Sequence, residues 1–331
     1  MKKLAILATD EWLKDPGVLA QLRDGYEVLD YSDWRQWDGP TMLAKLRAVE
    51  VVVTGRHSPS LPAQLAGDFG NLRWLLHLYG TVRHLAAKSL VEAGLIVTNW
   101  GEAVAGVAEG AMALVLCMLK QLVTLNARVQ GEPDRRIHQA YGPTLEGRDV
   151  GLYGFGPIGR HMARMLAGFG PKIAIYDPYA TDVPEGIRVC KTLRELFATC
   201  QIISLHCGLN DQTRGSVTAE LLALLPQGGI VVNTARGAVV DEEALAREVA
   251  AGRLLAGIDV ICHEGRWKES PLAGKSGAIL TGHNVGGGKG YPPGQAPAPR
   301  LPDFAVKNLR AYREGSPLIH VVTAAEYDLK T

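Results

Sequence analysis

The stretch that decides the fold is DVGLYGFGPIGRHMARMLAGFG, residues 149–170. A short apolar run leads into the glycine loop G-F-G-P-I-G at 154–159, and a segment with helical periodicity follows. Gly154 permits a tight turn, Gly156 lets the backbone approach a pyrophosphate, and Gly159 allows a helix to pack closely on a strand. The stretch therefore predicts a dinucleotide-binding unit in which N–H groups at the start of the helix face phosphate.

An acid follows the next predicted strand at the distance that such a unit requires. The strand KIAIYDP ends at Asp177, 18 residues after Gly159. A carboxylate there accepts hydrogen bonds from an adenosine ribose and repels a 2′-phosphate, so we expect NAD (NADH) rather than NADP. The alternative is a glycine-rich turn followed by a surface aspartate, which requires strand, glycines, helix and acid to fall in register by chance.

Apolar runs of strand length alternate with helix-like stretches along most of the chain, which is typical of parallel sheets with crossover helices. The first predicted series is Leu4–Ala8, Val51–Thr54, Trp74–Leu78 and Leu95–Thr98. The second predicted series is Val150–Tyr153, Ile173–Tyr176, Ile202–Leu205, Ile230–Asn233, Ala256–Val260 and Ala278–Leu280. Two α/β domains are therefore expected, with ligands at the carboxyl ends of the strands.

Three further segments organise the chain. The apolar stretch Glu102–Leu122 predicts one helix that connects the two series. Residues 286–304 are dense in glycine and proline, which predicts a loop. The helical segment Phe304–Tyr312 then leads to a C-terminus that we expect to return to the first domain.

Composition narrows the classes of function. The 331 residues are 47% apolar and 21% charged, with 35 basic against 34 acidic side chains, which is typical of a globular protein with a small substrate. A net charge of +1 argues against nucleic acid, and no apolar run is long enough to predict a membrane span. Five scattered cysteines without a C-x-x-C pair indicate a reducing compartment, so we expect a cytoplasmic protein without a metal site.

Polar residues follow the later strands of the second series, where the nicotinamide half of a dinucleotide is expected. Arg236 follows VVNTA, Asp259 and Glu264 lie in GIDVICHE, and His283 follows ILTG. Taken singly, such residues are more often a solvated arginine, loop acids and a structural histidine. Together they provide a cation for a carboxylate and an imidazole for proton transfer.

Several motifs occur in order and resemble those of the D-2-hydroxyacid dehydrogenase family, which includes phosphoglycerate dehydrogenases and glyoxylate/hydroxypyruvate reductases. The resemblance runs from about residue 72 to the C-terminus and is weak before it. It rests on GTVRHLAAKSL (80–90), VAEGAMALVL (107–116), TLEGRDVGLYGFGPIGR (144–160), SLHCGLNDQTRG (204–215), LLPQGGIVVNTARGAVVDEEAL (224–245), AGIDVICHEGRWKESPL (256–272) and LTGHNVGG (280–287).

The resemblance implies roles for individual residues. The catalytic set is Arg236, Glu264 and His283, with a hydrogen bond predicted between the last two. The implied cofactor-binding residues are Gly154, Phe155, Gly156, Pro157, Ile158, Gly159, Asp177, His206, Cys207, Thr213, Thr234, Ala235, Asp259 and Gly286. The implied substrate-binding residues are Arg56, Tyr79, Gly80, Thr81 and Arg236, with a surface role as the alternative for Arg56.

The family fold implies two Rossmann-like domains with doubly wound parallel sheets. The NAD-binding domain, 102–290, is expected to be inserted into a discontinuous substrate domain formed by 1–101 and 291–331. A homodimer through the cofactor domains is also implied. The expected function is hydride transfer between the nicotinamide and a small D-2-hydroxy acid or 2-oxo acid.

Departures from the family pattern concern the substrate pocket. Cys207-Gly208 replaces an apolar residue and proline, Gly265 and Gly282 replace prolines, and Asn284 replaces an aliphatic residue. Formate dehydrogenases fit less well, because they carry glutamine at the position of Glu264. Phosphonate dehydrogenases fit less well, because no lysine precedes Gly80 in this sequence. The competing hypothesis is an NAD(H)-binding corepressor-like scaffold without turnover, since fold alone does not determine function.

Overall fold

The structure is a computed structural model, and it describes residues 1–101, 104–131, 143–286 and 299–327. The chain divides into two compact units. Unit 1 comprises residues 1–103 and 291–331, and unit 2 comprises residues 104–290. Both units are α/β with parallel sheets, which confirms the predicted fold class.

Unit 1 contains a five-stranded parallel sheet with the order β2-β1-β3-β4-β5. The strands are β1 (Lys2–Ile6), β2 (Tyr26–Asp30), β3 (Val51–Thr54), β4 (Trp74–His77) and β5 (Ile96–Thr98). The helices are α1 (Pro16–Arg23), α2 (Gly39–Arg47), α3 (Lys88–Glu92) and α10 (Asp303–Glu314), with 3₁₀ turns at Glu11–Lys14, Trp34–Gln36 and Ala63–Gly67. The order reverses between β1 and β3, and such a switch point is where open sheets bind ligands.

The central strands of unit 1 are buried on both faces. Every residue of β3 and β4 is buried, and one apolar cluster lies on each side of the sheet. The C-terminal segment completes this unit, because Tyr26 donates a hydrogen bond to the Leu309 carbonyl at 2.8 Å and Val321 pairs with Thr98. Strand β2 was not predicted, since its sequence YEVLD forms a half-exposed edge strand.

Unit 2 contains a seven-stranded parallel sheet with the order β12-β11-β10-β9-β6-β7-β8. The strands are β6 (Asp149–Tyr153), β7 (Lys172–Tyr176), β8 (Arg188–Val189), β9 (Ile202–Leu205), β10 (Gly229–Asn233), β11 (Leu254–Ile258) and β12 (Ala278–Leu280). The order reverses between β6 and β9, as in dinucleotide-binding sheets. The strand predicted at Ala256–Val260 corresponds to β11, which begins and ends two residues earlier in the chain. The two-residue edge strand β8 was not predicted.

The helices of unit 2 cover both faces of its sheet. They are α4 (Ala105–Leu119), α5 (Leu122–Gly131), α6 (Pro157–Ala167), α7 (Leu193–Thr199), α8 (Ala219–Leu222) and α9 (Glu242–Ala250), with 3₁₀ turns at Gly237–Val239 and Trp267–Glu269. The apolar clusters that these helices cover lie against β6, β9 and β10.

The predicted helix Glu102–Leu122 is wrong at its C-terminal end, and its first two residues lie outside the described ranges. Helix α4 ends at Leu119, because Gln121 adopts a left-handed backbone conformation with φ 49°. Helix α5 then begins at Leu122 with a bend of 55°. Within the described ranges no single helix is long and apolar enough to cross a membrane, and the bent pair α4–α5 passes that test by length and composition only.

The predicted loop 286–304 lies largely outside the described residues, which resume at residue 299. Helix α10 begins at Asp303, one residue before the predicted start, and extends two residues beyond Tyr312. It ends at Gly315, which has a positive φ of 70°.

Candidate active site

The glycine loop joins β6 to α6 at the switch point of unit 2. Gly154 has φ 96°, and a methyl group there would come within 2.6 Å of the Cys207 backbone nitrogen. A methyl group on Gly159 would overlap the Gly154 carbonyl oxygen, so α6 starts directly against the strand. Gly156 has open space at its Cα. The loop is therefore closed toward the protein and open where a pyrophosphate is expected.

The loop is bonded to the acid that was predicted to bind ribose. Phe155 donates its backbone N–H to Asp177 Oδ2 at 2.7 Å, and Tyr179 donates to Oδ1 at 2.9 Å. Helix α6 begins at Pro157 with no side-chain cap, so the N–H groups of Ile158 and Gly159 are placed to bind an anion. Loop, helix start and carboxylate thus form one continuous cradle.

Buried polar atoms without a partner lie at the ends of the two strands beside the loop. Ser204 Oγ, both ring nitrogens of His206 and Thr234 Oγ1 are buried and make no hydrogen bond within the described residues. Burial lowers the pKa of His206 to about 4, so its imidazole is neutral at cellular pH. Buried polar groups normally have partners, so these atoms fit a site completed by a polar ligand such as a dinucleotide.

Arg236 follows β10, and its backbone is held by Asn233, a residue that was not predicted from the sequence. Asn233 Oδ1 accepts from the Ala235 N–H at 3.0 Å, and Asn233 Nδ2 donates to the Arg236 carbonyl at 2.9 Å. The Arg236 guanidinium donates to the Ala235 carbonyl at 2.6 Å. Burial lowers the pKa of Arg236 and the negative charge of Glu264 opposes that shift. An arginine remains cationic under such a shift, so a desolvated cation stands here.

His283 and Glu264 form the hydrogen bond that was predicted. His283 Nδ1 lies 2.8 Å from Glu264 Oε2, and both side chains are partly exposed. The His283 backbone is left-handed with φ 58°, and its N–H donates to the Asp259 carbonyl at 2.6 Å. A positive φ is uncommon for a residue with a side chain, and such strain concentrates at functional sites.

Asp259 anchors the turn that carries His283. Its Oδ1 accepts from the Thr281 hydroxyl at 2.5 Å and from the N–H groups of Asn284 and Val285 at 2.9 and 3.1 Å. The Asn284 amide folds back onto its own turn and donates to the Gly282 carbonyl at 2.7 Å. The Asp259 carboxylate oxygen Oδ1 therefore holds the histidine turn, and the Asn284 side chain adds a hydrogen bond within that turn.

The loop that carries Glu264 is held by an acid that sequence reasoning missed. Glu242, the first residue of α9, accepts from the Cys262 N–H at 2.9 Å and from the Ser270 hydroxyl at 2.5 Å. Glu242 lies in the quoted motif VVDEEAL, but nothing local indicates a bond to a loop 20 residues away. It fixes both ends of the segment around Glu264.

The remaining predicted cofactor residues lie at the same edge of the sheet. Thr213 donates to the Gly208 carbonyl at 2.7 Å, so its hydroxyl is engaged within its own turn. Burial raises the pKa of the Cys207 thiol to about 12, which keeps it protonated. Gly286 packs against Val107 on α4. Across the described ranges no three His, Cys, Asp or Glu side chains converge to hold a metal ion.

The predicted substrate residues of unit 1 lie at the carboxyl edge of its own sheet. Arg56 is exposed, with its guanidinium 5.5 Å from the centroid of the Tyr79 ring. Gly80 is covered by the Trp100 indole, which a methyl group on Gly80 would approach within 2.7 Å, and its carbonyl accepts from Asn99 at 2.5 Å. Thr81 follows in the same turn and is partly buried.

Comparison with known proteins places the chain in a family. Residues 112–285, just over half of the chain, match the family model described as D-isomer specific 2-hydroxyacid dehydrogenase, NAD binding domain. A hydroxypyruvate reductase of Thermotoga maritima is 34% identical over 217 residues, covering 64% of this chain and 69% of that protein. One from Blautia hydrogenotrophica is 26% identical over 326 residues, covering 95% and 98%.

Solved structures agree on the fold. The NADPH-dependent glyoxylate/hydroxypyruvate reductase of Sinorhizobium meliloti, solved with citrate, superposes with a TM-score of 0.77 at 24% identity, over 100% of this chain and 99% of that one. D-2-hydroxyisocaproate dehydrogenase superposes with a TM-score of 0.76 at 19% identity, over 98% and 100%. The chain belongs to the D-isomer specific 2-hydroxyacid dehydrogenase family, a family of NAD(P)-dependent oxidoreductases.

Proposed function

We propose that this protein is an NAD-dependent oxidoreductase that interconverts a small 2-oxo acid and the corresponding D-2-hydroxy acid. The observation that carries the proposal is the 2.8 Å hydrogen bond between His283 Nδ1 and Glu264 Oε2, with the Glu264 charge acting on the partly buried Arg236. These groups are an acid–base residue, its orienting carboxylate and a cation for the substrate.

Reduction of a 2-oxo acid adds a hydride to C2 and a proton to the carbonyl oxygen. When bound, the nicotinamide supplies the hydride. Because Glu264 holds Nδ1 of His283, the other ring nitrogen, Nε2, is left to donate the proton in reduction and to accept it in oxidation. The Glu264 carboxylate fixes the orientation of the imidazole ring.

Arg236 binds the carboxylate of the substrate and polarises the carbonyl that is reduced. Its planar fork of N–H donors suits a carboxylate, and negative charge grows on the carbonyl oxygen in the transition state. Asn233 holds the backbone on both sides of Arg236, so the arginine is oriented before substrate arrives. Partial burial strengthens the attraction because water screens it less.

Asp177 supports NAD over NADP. Each of its carboxylate oxygens accepts one backbone N–H and keeps acceptor capacity for the ribose hydroxyls. A 2′-phosphate at that position would meet the same negative charge. The Sinorhizobium meliloti reductase is NADPH-dependent, so cofactor choice separates the two proteins in this proposal.

The two units take different tasks in this proposal. Unit 2 binds the cofactor, and unit 1 binds the substrate through Arg56, Tyr79, Gly80 and Thr81. We assign a homodimer through unit 2, because Leu122, Val123 and Val129 of α5 are apolar side chains that are each more than half exposed. Five free cysteines support a reducing, cytoplasmic compartment.

The test is NADH oxidation by the purified protein with glyoxylate, hydroxypyruvate, pyruvate, phenylpyruvate and 3-phosphohydroxypyruvate. We expect turnover with at least one acid, and loss of that turnover in Arg236→Ala. Arg266→Ala is the matched control, because Arg266 is exposed and pairs with Glu269 at 3.2 Å. NADH binding without turnover on any acid would reject the enzyme and favour a scaffold.

A further inference from the structure

Four side chains meet at the carboxyl edge of the unit 1 sheet, and two of them, Asp10 and Trp100, were not predicted. Asp10, Arg56, Tyr79 and Trp100 each follow a different strand, in the order β1, β3, β4 and β5. These four strands are consecutive neighbours in the sheet, so their carboxyl ends lie side by side. Asp10 and Arg56 flank the switch point between β1 and β3, where open sheets bind ligands.

Asp10 is hydrogen-bonded to Tyr79, whose ring lies next to Arg56 and Trp100, and we call these four residues the Asp10 cluster. The Tyr79 hydroxyl donates to Asp10 Oδ1 at 3.1 Å, and the Trp12 indole hydrogen-bonds the same hydroxyl. Burial first, and then the Asp10 charge, raise the pKa of Tyr79, so this hydroxyl remains a donor. The Trp100 ring lies 6.5 Å from the Tyr79 ring. The cluster is therefore a partly buried aromatic wall with one carboxylate.

The second oxygen of that carboxylate has no donor. Asp10 Oδ2 is buried and accepts no hydrogen bond within the described residues. It lies so close to Gly55 that a methyl group on Gly55 would overlap it. A carboxylate accepts about four hydrogen bonds, and a buried one left short of donors is destabilising. An unmet acceptor at a switch point indicates that a ligand supplies the donor.

The charge at this position also excludes some ligands. Arg56, across the Tyr79 ring, alone would suit a phosphate. Asp10 places a negative charge beside the same ring, and a phosphorylated substrate would bring about two further negative charges to it. A hydroxyl or ammonium group instead donates to the carboxylate and loses nothing to repulsion.

We propose that Asp10, oriented by Tyr79, is a specificity-determining residue that selects 2-oxo acids whose side chain carries a hydrogen-bond donor and disfavours phosphorylated ones. This proposal rests on the proposed function, in which unit 1 binds the substrate. The donor is a neutral hydroxyl or a cationic nitrogen group, and these two sources share the same chemistry toward a carboxylate.

The experiment compares kcat/KM for four acids in the wild type and in Asp10→Asn. Hydroxypyruvate carries a hydroxyl donor, the 2-oxo acid of arginine carries a cationic donor, pyruvate carries none, and 3-phosphohydroxypyruvate carries a phosphate. We expect Asp10→Asn to reduce the preference for a donor-bearing acid over pyruvate by about tenfold and to improve the relative use of the phosphorylated acid by about tenfold. Of the two donor-bearing acids, the one whose kcat/KM relative to pyruvate falls more in Asp10→Asn carries the type of donor that Asp10 selects.

Glu11→Gln is the matched control, because Glu11 is the adjacent acid, is exposed and pairs with Lys14. We expect it to leave all four ratios unchanged. Tyr79→Phe keeps the ring and removes the hydroxyl, so it is expected to shift the ratios in the same direction as Asp10→Asn, by less. An equal loss on all four acids in Asp10→Asn, or no change, would overturn the proposal.

Equilibrium binding separates this proposal from the proposed function. Trp12 and Trp100 lie next to Tyr79, so a change in tryptophan fluorescence on adding an acid that is lost in Asp10→Asn reports binding at the cluster. If the protein turns over 2-oxo acids but Asp10→Asn leaves the kcat/KM ratios unchanged, the role of Asp10 is rejected and the oxidoreductase function stands. If donor-bearing acids bind in an Asp10-dependent way but are not turned over, the role of Asp10 in binding stands and the oxidoreductase function is rejected.

Discussion

Each unit has one switch point in its sheet, and the two switch points are built from opposite chemistry. In unit 2, between β6 and β9, Gly154 lets one backbone lie against another at Cys207, so the edge presents N–H groups. In unit 1, between β1 and β3, Gly55 lets the backbone lie against the Asp10 carboxylate. The first edge attracts phosphate and the second repels it.

The difference shows that sheet topology marks where a ligand binds, while the loops decide which ligand it is. Both edges also bury a histidine at or just after a strand end. His77 ends β4, and its Nδ1 lies 3.0 Å from the Thr54 hydroxyl, whereas His206 follows β9 and neither of its ring nitrogens has a partner among the residues that the structure describes. The unpaired histidine lies in the unit that the family model describes as NAD binding.

The largest effect is expected at the acid–base pair of unit 2. His283→Gln removes the proton donor and should lower kcat by about 10²–10⁴-fold, while NADH binding stays within about twofold. Glu264→Gln keeps the volume and loses the charge that orients the ring, so its loss should be smaller. Steady-state kinetics and NADH fluorescence titration check both. Unchanged turnover in His283→Gln would contradict the assigned role.

Two glycines of the loop between β6 and α6 test separately how the unit 2 switch point is packed and how it binds the cofactor. Gly154→Ala adds a methyl group at a positive φ and against the Cys207 backbone, so it should destabilise the protein by about 1–3 kcal/mol and weaken NADH binding. Gly156→Ala meets open space, so it should leave the free energy of unfolding nearly unchanged and weaken NADH binding alone. Denaturant unfolding without cofactor distinguishes the two variants. Equal losses of stability would contradict the assignment of Gly154 to the protein side of the loop and Gly156 to the cofactor side.

Cofactor choice tests the acid at the same edge. Asp177→Ala removes a charged acceptor for the ribose hydroxyls and the repulsion of a 2′-phosphate. The ratio of kcat/KM for NADH to that for NADPH should fall by about 10–100-fold. Glu185→Ala, at an exposed acid in the loop that follows, is the control. If the wild type prefers NADPH, the interpretation of Asp177 is wrong.

The last effect concerns the pH dependence of stability at the two buried histidines. Burial lowers the pKa of His206 to about 4 and that of His77 to about 3, below the unfolded value of about 6.5. Each side chain therefore takes up a proton first in the unfolded chain, so its contribution to stability is complete above about pH 6.5 and is lost as pH falls.

The measurement is the slope of unfolding free energy against pH between about 4 and 6.5. His206→Gln and His77→Gln should each reduce that slope by at most about 1.4 kcal/mol per pH unit. His57→Gln, at an exposed histidine, is the matched control. A wild-type slope that survives both substitutions would show that other groups cause the acid sensitivity.

The sequence predicted what is local and left out what only folding brings together. The glycine loop and Asp177 lie within one strand–helix–strand unit, and the order of the central strands follows from buried apolar runs. Arg236, Glu264 and His283 were identified through family motifs, since their spacing of 28 and 19 residues carries no signal by itself. The structure adds their supports Asn233 and Glu242.

The errors have physical causes. Strands β2 and β8 lie at sheet edges and lack a continuous apolar run, and the break after α4 depends on a left-handed Gln121. Asp10 was not predicted to have a role, because its partners Gly55 and Tyr79 are distant in sequence and no local pattern indicates an unmet acceptor.

The most direct test of this division of labour measures two preferences in one series of proteins. The series is the wild type, Asp177→Ala and Asp10→Asn, and the preferences are NADH over NADPH and hydroxypyruvate over 3-phosphohydroxypyruvate, each as a ratio of kcat/KM. We predict that Asp177→Ala shifts only the cofactor ratio and Asp10→Asn shifts only the substrate ratio, each by about tenfold or more. A variant that shifts both ratios, or a wild type that prefers the phosphorylated acid, would contradict the account.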